Sequence, residues 1–399
     1  MAREPLAALA LAMLTVSRTP RVAFVNGGIL GLGSYAMWLR RVFPDDREVH
    51  AEHFVITENL TLRDRAIRRA LCQSLVPDIR GWRNVDRARF RSELNAGLTA
   101  RRRLLARGLD HFDVLHFCGQ ASAYASRDLM ERIPSIVYID CTQTCAWQVA
   151  ESDRERRSLQ PNLRRDGEIF SRAAAIISTS SWAAHDVRQL YPGCRTPTHV
   201  LANPVRLDLF DAAWADQRRT HQQRRPRCLF MGGDFPRKGG YELLDAWAAG
   251  GFAARADLVV VTDWPIRAPL PPGVRVERGI AGQTPRWAAV WRDADLFVMP
   301  TKNEAFGFVY QEAGAAGLPA IGSRLNAIPE IISDGTTGLL VAPNDRDALI
   351  VALDRLIASA ELRERMGRAA RRKIERDADP VTHREQLVTI IRAVAETHE

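Results

Sequence analysis

Lysine is nearly absent from this 399-residue chain; only Lys238, Lys302 and Lys373 occur, so its positive charge is almost entirely arginine. No apolar run reaches the roughly 18 residues that a membrane-spanning helix needs. Cysteine is sparse and scattered, at Cys72, Cys118, Cys141, Cys145, Cys194 and Cys228. Only Cys141-Thr-Gln-Thr-Cys145 is close, and neither a second pair nor a histidine cluster completes a zinc site. A reduced, cytosolic chain with buried thiols is the plain reading. Internal repeats and low-complexity segments are missing as well. What remains is a chain that is 46% apolar, which excludes disorder, collagen and small disulfide scaffolds. At about 150 residues per domain it has room for two or three.

Charge is uneven. Residues 1–200 hold 29 arginines and no lysine against 21 acids, whereas residues 201–399 hold 27 basic residues against 26 acids. A basic half suits anionic partners such as lipid head groups or phosphate-bearing substrates, and a generally arginine-rich composition gives the same excess. Near the start, Leu6 to Val16 is almost wholly apolar and suits a signal h-region. No small-x-small cleavage site separates it from the strand expected near Arg21, so we expect an N-terminal helix lying on the domain, with membrane contact open.

Short β-branched runs alternate with longer amphipathic stretches. Strands are expected at Val22–Asn26, Val49–Ile56, Val114–Phe117, Ile136–Ile139, Ala175–Thr179 and His199–Leu201. A second series runs through Cys228–Gly232, Leu258–Thr262, Val274–Glu277, Leu296–Pro300, Ala320–Ser323 and Gly338–Val341. This alternation predicts α/β architecture with parallel sheets covered on both faces. Asn203 to Pro226, with the polar run from Asp216, reads as a linker. Leu62 to Leu109 reads as an Arg-rich helical insertion, and Asp345 to His398 as a helical tail broken at Asp379-Pro380. We therefore expect two doubly wound, Rossmann-like domains facing across a cleft, with ligands beyond the carboxyl ends of the strands. The boundaries are 1–204 for a first domain, 205–376 for a second, and 377–399 for a C-terminal helix packing back toward the first.

Three motifs fall in turns after strands. In Val22-Ala-Phe-Val-Asn-Gly-Gly-Ile-Leu-Gly-Leu-Gly-Ser-Tyr-Ala, glycines let backbone amides approach a phosphate at the positive end of a helix. Gly31-Leu-Gly33-Ser-Tyr-Ala36 fits the dinucleotide fingerprint with Glu52 about 20 residues on, but four residues intervene where that turn begins at once. A glycine turn that merely spares a clash is the bland alternative. The second motif, Gly232-Gly-Asp-Phe-Pro-Arg-Lys-Gly-Gly240, puts Arg237 and Lys238 at a helix start, where side-chain charge, free amides and dipole form an anion trap. In the third, a strand ends at Pro300, Glu304 sits in the loop, Phe306-Gly307-Phe308 opens a helix and Glu312 lies inside it. Amides at Phe306 to Phe308 suit a diphosphate, Glu312 a ribose diol and Glu304 a sugar hydroxyl. The bland reading makes Glu304 a dipole partner and Glu312 a solvated helix residue, yet the small-residue face Ala313-Gly-Ala-Ala-Gly317 implies burial there. Asp293-x-Asp295 precedes its strand and Asp377-x-Asp379 is a helix break, so no metal site is expected.

At these residues the chain resembles the retaining glycosyltransferases of family four, which have the GT-B fold. Glu304-Ala-Phe-Gly-Phe-Val-Tyr-Gln-Glu312 matches the glutamate, seven residues, glutamate signature. Lys238-Gly239 and the segment from Gly317 through Glu330, Gly335 and Gly338 are also similar, so the likeness is specific over roughly residues 198–375. In the first half only the glycine turn and Asp113-Val-Leu-His116 look familiar. The resemblance implies that Lys238 neutralises the donor diphosphate with the amides near Phe306 and Gly307, Glu304 holds the donor sugar, and Glu312 holds the ribose. It also implies that His116 contacts the transferred sugar and that Gly27 and Gly28 approach the phosphate and acceptor. A bland reading of His116 as a core histidine stands beside this. The implied chemistry is transfer with retention, without metal or cofactor, from a UDP-, GDP- or ADP-sugar to a glycan, lipid or small-molecule acceptor. The expected place is cytoplasmic, with peripheral contact to an anionic membrane left open by the basic first half, and no nucleic acid is expected as a partner. The chain departs from the pattern at Gly233, where an arginine is frequent and which Arg237 would have to replace, and at Asn326-Ala327, where glycines are common. A sugar-nucleotide epimerase of the same fold and a non-catalytic nucleotide-sugar-binding subunit are the alternatives. No lysine sits in a pyridoxal context, against phosphorylase chemistry.

Overall fold

The computed structural model describes residues 18–27, 31–44, 47–72, 87–210, 224–267 and 269–397. The apolar stretch Leu6–Val16, the expected donor contact Gly28 and most of the polar run from Asp216 lie outside the described residues. The chain forms two compact units, one of Met1–Ala202 with Val381–Glu399, the other of Asn203–Pro380.

Unit 1 holds strands β1 (Arg21–Asn26), β2 (His50–Val55), β3 (Val114–Cys118), β4 (Ser135–Ile139), β5 (Ala175–Ser178) and β6 (Thr198–Val200). Its helices are α1 (Gly31–Val42), α2 (Leu62–Cys72), α3 (Ala88–Arg107), α4 (Arg127–Arg132), α5 (Thr144–Gln148), α6 (Asp153–Ser158), α7 (Gln160–Phe170) and α8 (Ser181–Leu190). Unit 2 holds β7 (Arg227–Met231), β8 (Asp257–Val261), β9 (Val274–Glu277), β10 (Leu296–Met299), β11 (Ala320–Ser323) and β12 (Gly338–Val341). Its helices are α9 (Gly240–Ala249), α10 (Pro285–Asp293), α11 (Phe308–Ala315), α12 (Ile328–Ile331), α13 (Arg346–Ala358) and α14 (Ala360–Asp377); α15 (Pro380–Glu396) then returns to unit 1. Among the described residues no helix is long and apolar enough to cross a membrane.

The two-residue period of the strands explains why unit 1 is covered on both faces. Val22, Phe24, Val114, Cys118, Ile136 and Tyr138 face one core with Tyr35 and Trp38 of α1 and Leu387 and Ile391 of α15. The intervening Ala23, Val25, Leu115, Phe117, Val137 and Ile139 face the other, with Leu104 of α3 and Phe170 of α7.

Every pairing is parallel. The orders are β2-β1-β3-β4-β5-β6 and β12-β11-β10-β7-β8-β9. Each sheet therefore reverses direction of winding once, between β1 and β3 in unit 1 and between β7 and β10 in unit 2. A crevice opens at such a switch point, beyond the carboxyl ends of the strands. In the helical tail the chain breaks at Asp379-Pro380 and once more at Ser359, which the sequence pattern had passed through. Ser359 is extended and its hydroxyl accepts from the Leu362 amide at 3.1 Å, so it starts α14 as an N-cap.

Candidate functional site

The loops after β7 and β10 meet at the switch point of unit 2. Gly239 has φ +77, and a Cβ there would lie 1.9 Å from the Pro300 carbonyl oxygen, so glycine alone lets the first loop close onto the second. The Lys302 amide and the Thr301 hydroxyl then donate to the Arg237 carbonyl at 2.9 and 3.2 Å. Ser323, ending β11, donates to the Thr301 carbonyl at 2.6 Å. The loop pair is thus a hydrogen-bonded frame before any charged side chain is considered.

On that frame Lys238 Nζ donates to Glu304 Oε2. Both side chains are about 85% buried, at 15% and 14% exposed. Arg237 approaches the same carboxylate oxygen at 3.8 Å, and donates to Asp234 at 3.0 Å and to the Asn303 carbonyl at 2.6 Å. Two cations thus converge on Glu304, with Asp234 steering one of them. Gly307, φ +89, precedes α11, whose N-terminus carries no side-chain cap; Phe306 is buried and Phe308 half-buried beside it. Glu312 follows one turn inside α11, half-buried, with no hydrogen-bond partner for its carboxylate among the described residues. Burial pushes that carboxyl up to about 7, and the charge of Lys238 pulls against the rise.

Lys238, Arg237, Glu304, Glu312, Phe306, Gly307 and Phe308 therefore lie on the two loops of one switch point and the helix that follows. Gly233 is exposed beside them, with nothing within 4 Å of a built Cβ. The remaining expected contacts belong to unit 1. Gly27 follows β1 at that unit's own switch point, half-buried, also with nothing within 4 Å of a built Cβ. His116, expected as a sugar contact with a core histidine as its bland alternative, lies in the core of unit 1. It sits inside β3 with no exposed surface, its ring 5.1 Å from that of Phe24 and 6.1 Å from that of Tyr138. Desolvation pulls its imidazole down to about 3, so it is neutral, and Nε2 finds no partner. The dinucleotide reading finds no support either, since Glu52 is an exterior residue paired with Arg107 at 2.7 Å.

Sequence reasoning missed the residues that hold this site in shape. Asn326 takes φ +49, a conformation glycine adopts freely and asparagine tolerates, and its amide holds the Glu304 carbonyl at 2.8 Å. The departure from glycine at this position thus keeps the backbone and adds a bond. Unit 1 also hides an acidic pair that no motif announced. Glu93 accepts from Arg89 at 2.9 Å and Asn162 at 2.6 Å, and Asp166 accepts from Tyr124 at 2.5 Å and Gln143 at 3.1 Å. Burial and the neighbouring Glu93 push the Asp166 carboxyl up to about 7. A cavity of about 110 Å³ under α10, lined by Arg227, Leu229, Glu277 and Val290, shares no residue with the switch-point site.

Comparison with known proteins bears on the family likeness and the fold. Residues 277–373 match the family described as Glycosyl transferases group 1. Over 95% of the chain and 100% of the other protein, the structure is similar to sucrose-phosphate synthase from Thermosynechococcus elongatus, with a TM-score of 0.72 at 18% identity. The fold is GT-B. The Anabaena protein Alr3699/HepE, solved in complex with UDP-glucose, shares it with a TM-score of 0.63 at 16% identity, over 95% of this chain and 99% of that one. Two curated relatives match shorter stretches. Sulfoquinovosyl transferase SQD2 of Arabidopsis thaliana is 38% identical over 89 residues, 22% of this chain and 18% of that protein. D-inositol 3-phosphate glycosyltransferase of Corynebacterium glutamicum is 43% identical over 82 residues, 21% of this chain and 20% of that protein. The matched stretches span about a fifth of these relatives' length.

Proposed function

We propose that this GT-B chain is a retaining glycosyltransferase whose second unit holds a nucleoside-diphosphate sugar at the β7/β10 switch point. The observation that carries the reading is the convergence of Lys238 and Arg237 on the Glu304 carboxylate. In the structure that carboxylate is the anion in the trap. A diphosphate entering between Lys238 and the uncapped N-terminus of α11 offers a stronger, doubly charged partner. Lys238 then turns to the diphosphate, and Glu304 is released to accept hydrogen bonds from the donor sugar. Glu312, unpartnered and partly protonated near neutral pH, accepts from the ribose diol.

The reaction breaks the bond between the anomeric carbon and the diphosphate oxygen. Negative charge grows on the departing phosphate, where the ammonium of Lys238 and the α11 amides stabilise it; one such donor is worth roughly 3 kcal/mol. The acceptor hydroxyl attacks from the face the phosphate leaves and gives its proton to that phosphate, so configuration is retained. This assignment gives the charge-neutralising role to Lys238 and Arg237 and assigns no cofactor. The structural neighbour solved with UDP-glucose and the sugar-transferring relatives support a nucleotide-sugar donor. The acceptor, taken as a saccharide, lipid or small molecule, is assigned to unit 1.

Calorimetry with UDP and GDP tests the reading. The wild type should bind one of them, and Lys238→Ala should weaken it at least tenfold, about 1.4 kcal/mol. Equal affinity in both proteins removes the trap. In a transfer assay across UDP-, GDP- and ADP-sugars, Glu304→Gln should keep nucleotide binding and lose turnover.

A further inference from the structure

Two neighbouring helices of unit 1 carry arginine in quantity, and they use it differently. On α3 the guanidiniums are engaged. Arg101 pairs with Asp128 at 2.5 Å, Arg102 with Asp64 at 2.6 Å and Arg107 with Glu52 at 2.7 Å. Arg103 donates to the carbonyls of Val55 and Glu58, and Arg89 pairs with Glu93 at 2.9 Å. These arginines fasten α3 to β2, α2 and α4, so the high arginine content has a structural explanation there.

No such explanation covers α2, Leu62-Arg-Asp-Arg-Ala-Ile-Arg-Arg-Ala-Leu-Cys72. Its single acid, Asp64, turns inward, buried, and is taken by Thr61 and Arg102. Arg63, Arg65, Arg68 and Arg69 are all exposed, and none meets a carboxylate among the described residues. Leu62 stands among them 83% exposed, and Ala66 and Ala70 are exposed as well. Leu62, Arg65, Ala66 and Arg69 follow the i, i+3, i+4, i+7 spacing, so they share the outward face of the helix. An ordinary solvated helix mixes both signs of charge, and among the described residues no other large apolar side chain is as exposed as Leu62. Here an outer face of one sign surrounds an uncovered apolar side chain.

We propose that the outer face of α2 is a docking surface for an anionic bilayer. The guanidiniums of Arg65 and Arg69 on that face, with Arg63 at its edge, complement phosphate head groups, and their long stems let the charge stay at head-group level while Leu62 reaches the acyl boundary. A bilayer offers phosphate to each guanidinium and an acyl boundary to the leucine without needing a matched set of acids or a complementary pocket, and binding to an acidic protein instead is an outcome that the vesicle test exposes. This surface is independent of the donor site in unit 2, so each assignment can fail without the other.

The test is sedimentation with phosphatidylcholine vesicles containing about one third phosphatidylglycerol, at about 50 mM and about 500 mM salt. The full chain should bind at low salt, dissociate at high salt and ignore pure phosphatidylcholine. The double variant Arg65→Glu/Arg69→Glu should bind at least tenfold more weakly, since each basic residue near such a surface contributes about a fivefold preference. A matched pair with the same change of net charge on exposed arginines of unit 2, Arg355→Glu/Arg372→Glu, should stay within about twofold of wild type. Thermal unfolding and UDP or GDP calorimetry on each variant keep folding and donor binding apart from vesicle binding. The assignment is overturned if the wild type leaves anionic vesicles unbound at low salt. It is overturned equally if the two charge-reversed pairs lose binding alike, because net charge rather than α2 would then be responsible.

Discussion

The two units share a parallel six-stranded sheet and a single switch point, yet the contents of those switch points are opposite. In unit 2 the loops after β7 and β10 bring Lys238, Arg237 and Glu304 into one ion cluster. In unit 1 the loops after β1 and β3 begin with Gly27 and Gly119 and bring no charge to the strand ends. Unit 1 keeps its charge elsewhere, in the buried Glu93–Asp166 network and on the outward arginines of α2. The same scaffold thus makes a charge trap in one unit and an open space in the other. A trap suits the phosphate-bearing part of a substrate, and space suits the part that varies.

The largest effect that tests this contrast should come from Gly239→Ala. The new methyl meets the Pro300 carbonyl at 1.9 Å with φ at +77, and backbone cannot step aside as a side chain can. Unit 2 should lose about 4 kcal/mol or more in urea unfolding, and nucleotide binding should vanish with it. Retention of both would show that the two loops do not depend on each other.

The buried acid of unit 1 should give the next effect. Asp166 is fully buried and its carboxyl is pushed up to about 7, above the ordinary 3.8 it regains on unfolding. Between those values the folded chain binds more protons than the unfolded one, so stability falls as pH rises and levels off above about 7. The Asp166 share of that loss should be about 4 kcal/mol, and Asp166→Asn should remove it, leaving the share of Glu312, while keeping an acceptor for the Tyr124 hydroxyl. A variant with the wild-type pH profile would assign the slope to another acid.

Lys238→Met comes third. It leaves Glu304 mostly buried without its ammonium, which should cost unit 2 about 2 kcal/mol. Adding Glu304→Gln should recover part of that loss, read as a coupling in a double-mutant cycle. Strict additivity would mean that the pair is not energetically linked.

These tests also mark what was legible in the sequence. The twelve strands were, because buried parallel strands write themselves as short β-branched runs between glycine and proline turns. That Lys238, Glu304 and Glu312 lie near one another was legible too, because a switch point collects its residues from turns that keep fixed offsets from those strands. Two kinds of residue escaped. His116 is the one polar residue of Val114-Leu-His-Phe-Cys118, a strand buried throughout, and spacing alone does not say that both faces are covered. Glu93, Tyr124, Gln143 and Asp166 come from segments up to 73 positions apart and converge only in three dimensions. Asn326 left one signal, its tolerance of positive φ, which makes an asparagine in a glycine position a reason to expect that backbone rather than to doubt it.

The smallest effect on stability, and the sharpest for the comparison, is expected of Gly27→Ala. A methyl there touches nothing within 4 Å among the described residues, and φ at Gly27 is not in the left-handed region, so those residues make no demand for the glycine. Unfolding free energy should change by less than about 0.5 kcal/mol. If the space at this switch point receives substrate, transfer should nevertheless fall at least tenfold while calorimetric UDP or GDP affinity stays within about twofold. Unchanged turnover would make the unit 1 crevice idle space, and the opposition between the two switch points would then separate an occupied site from an empty one.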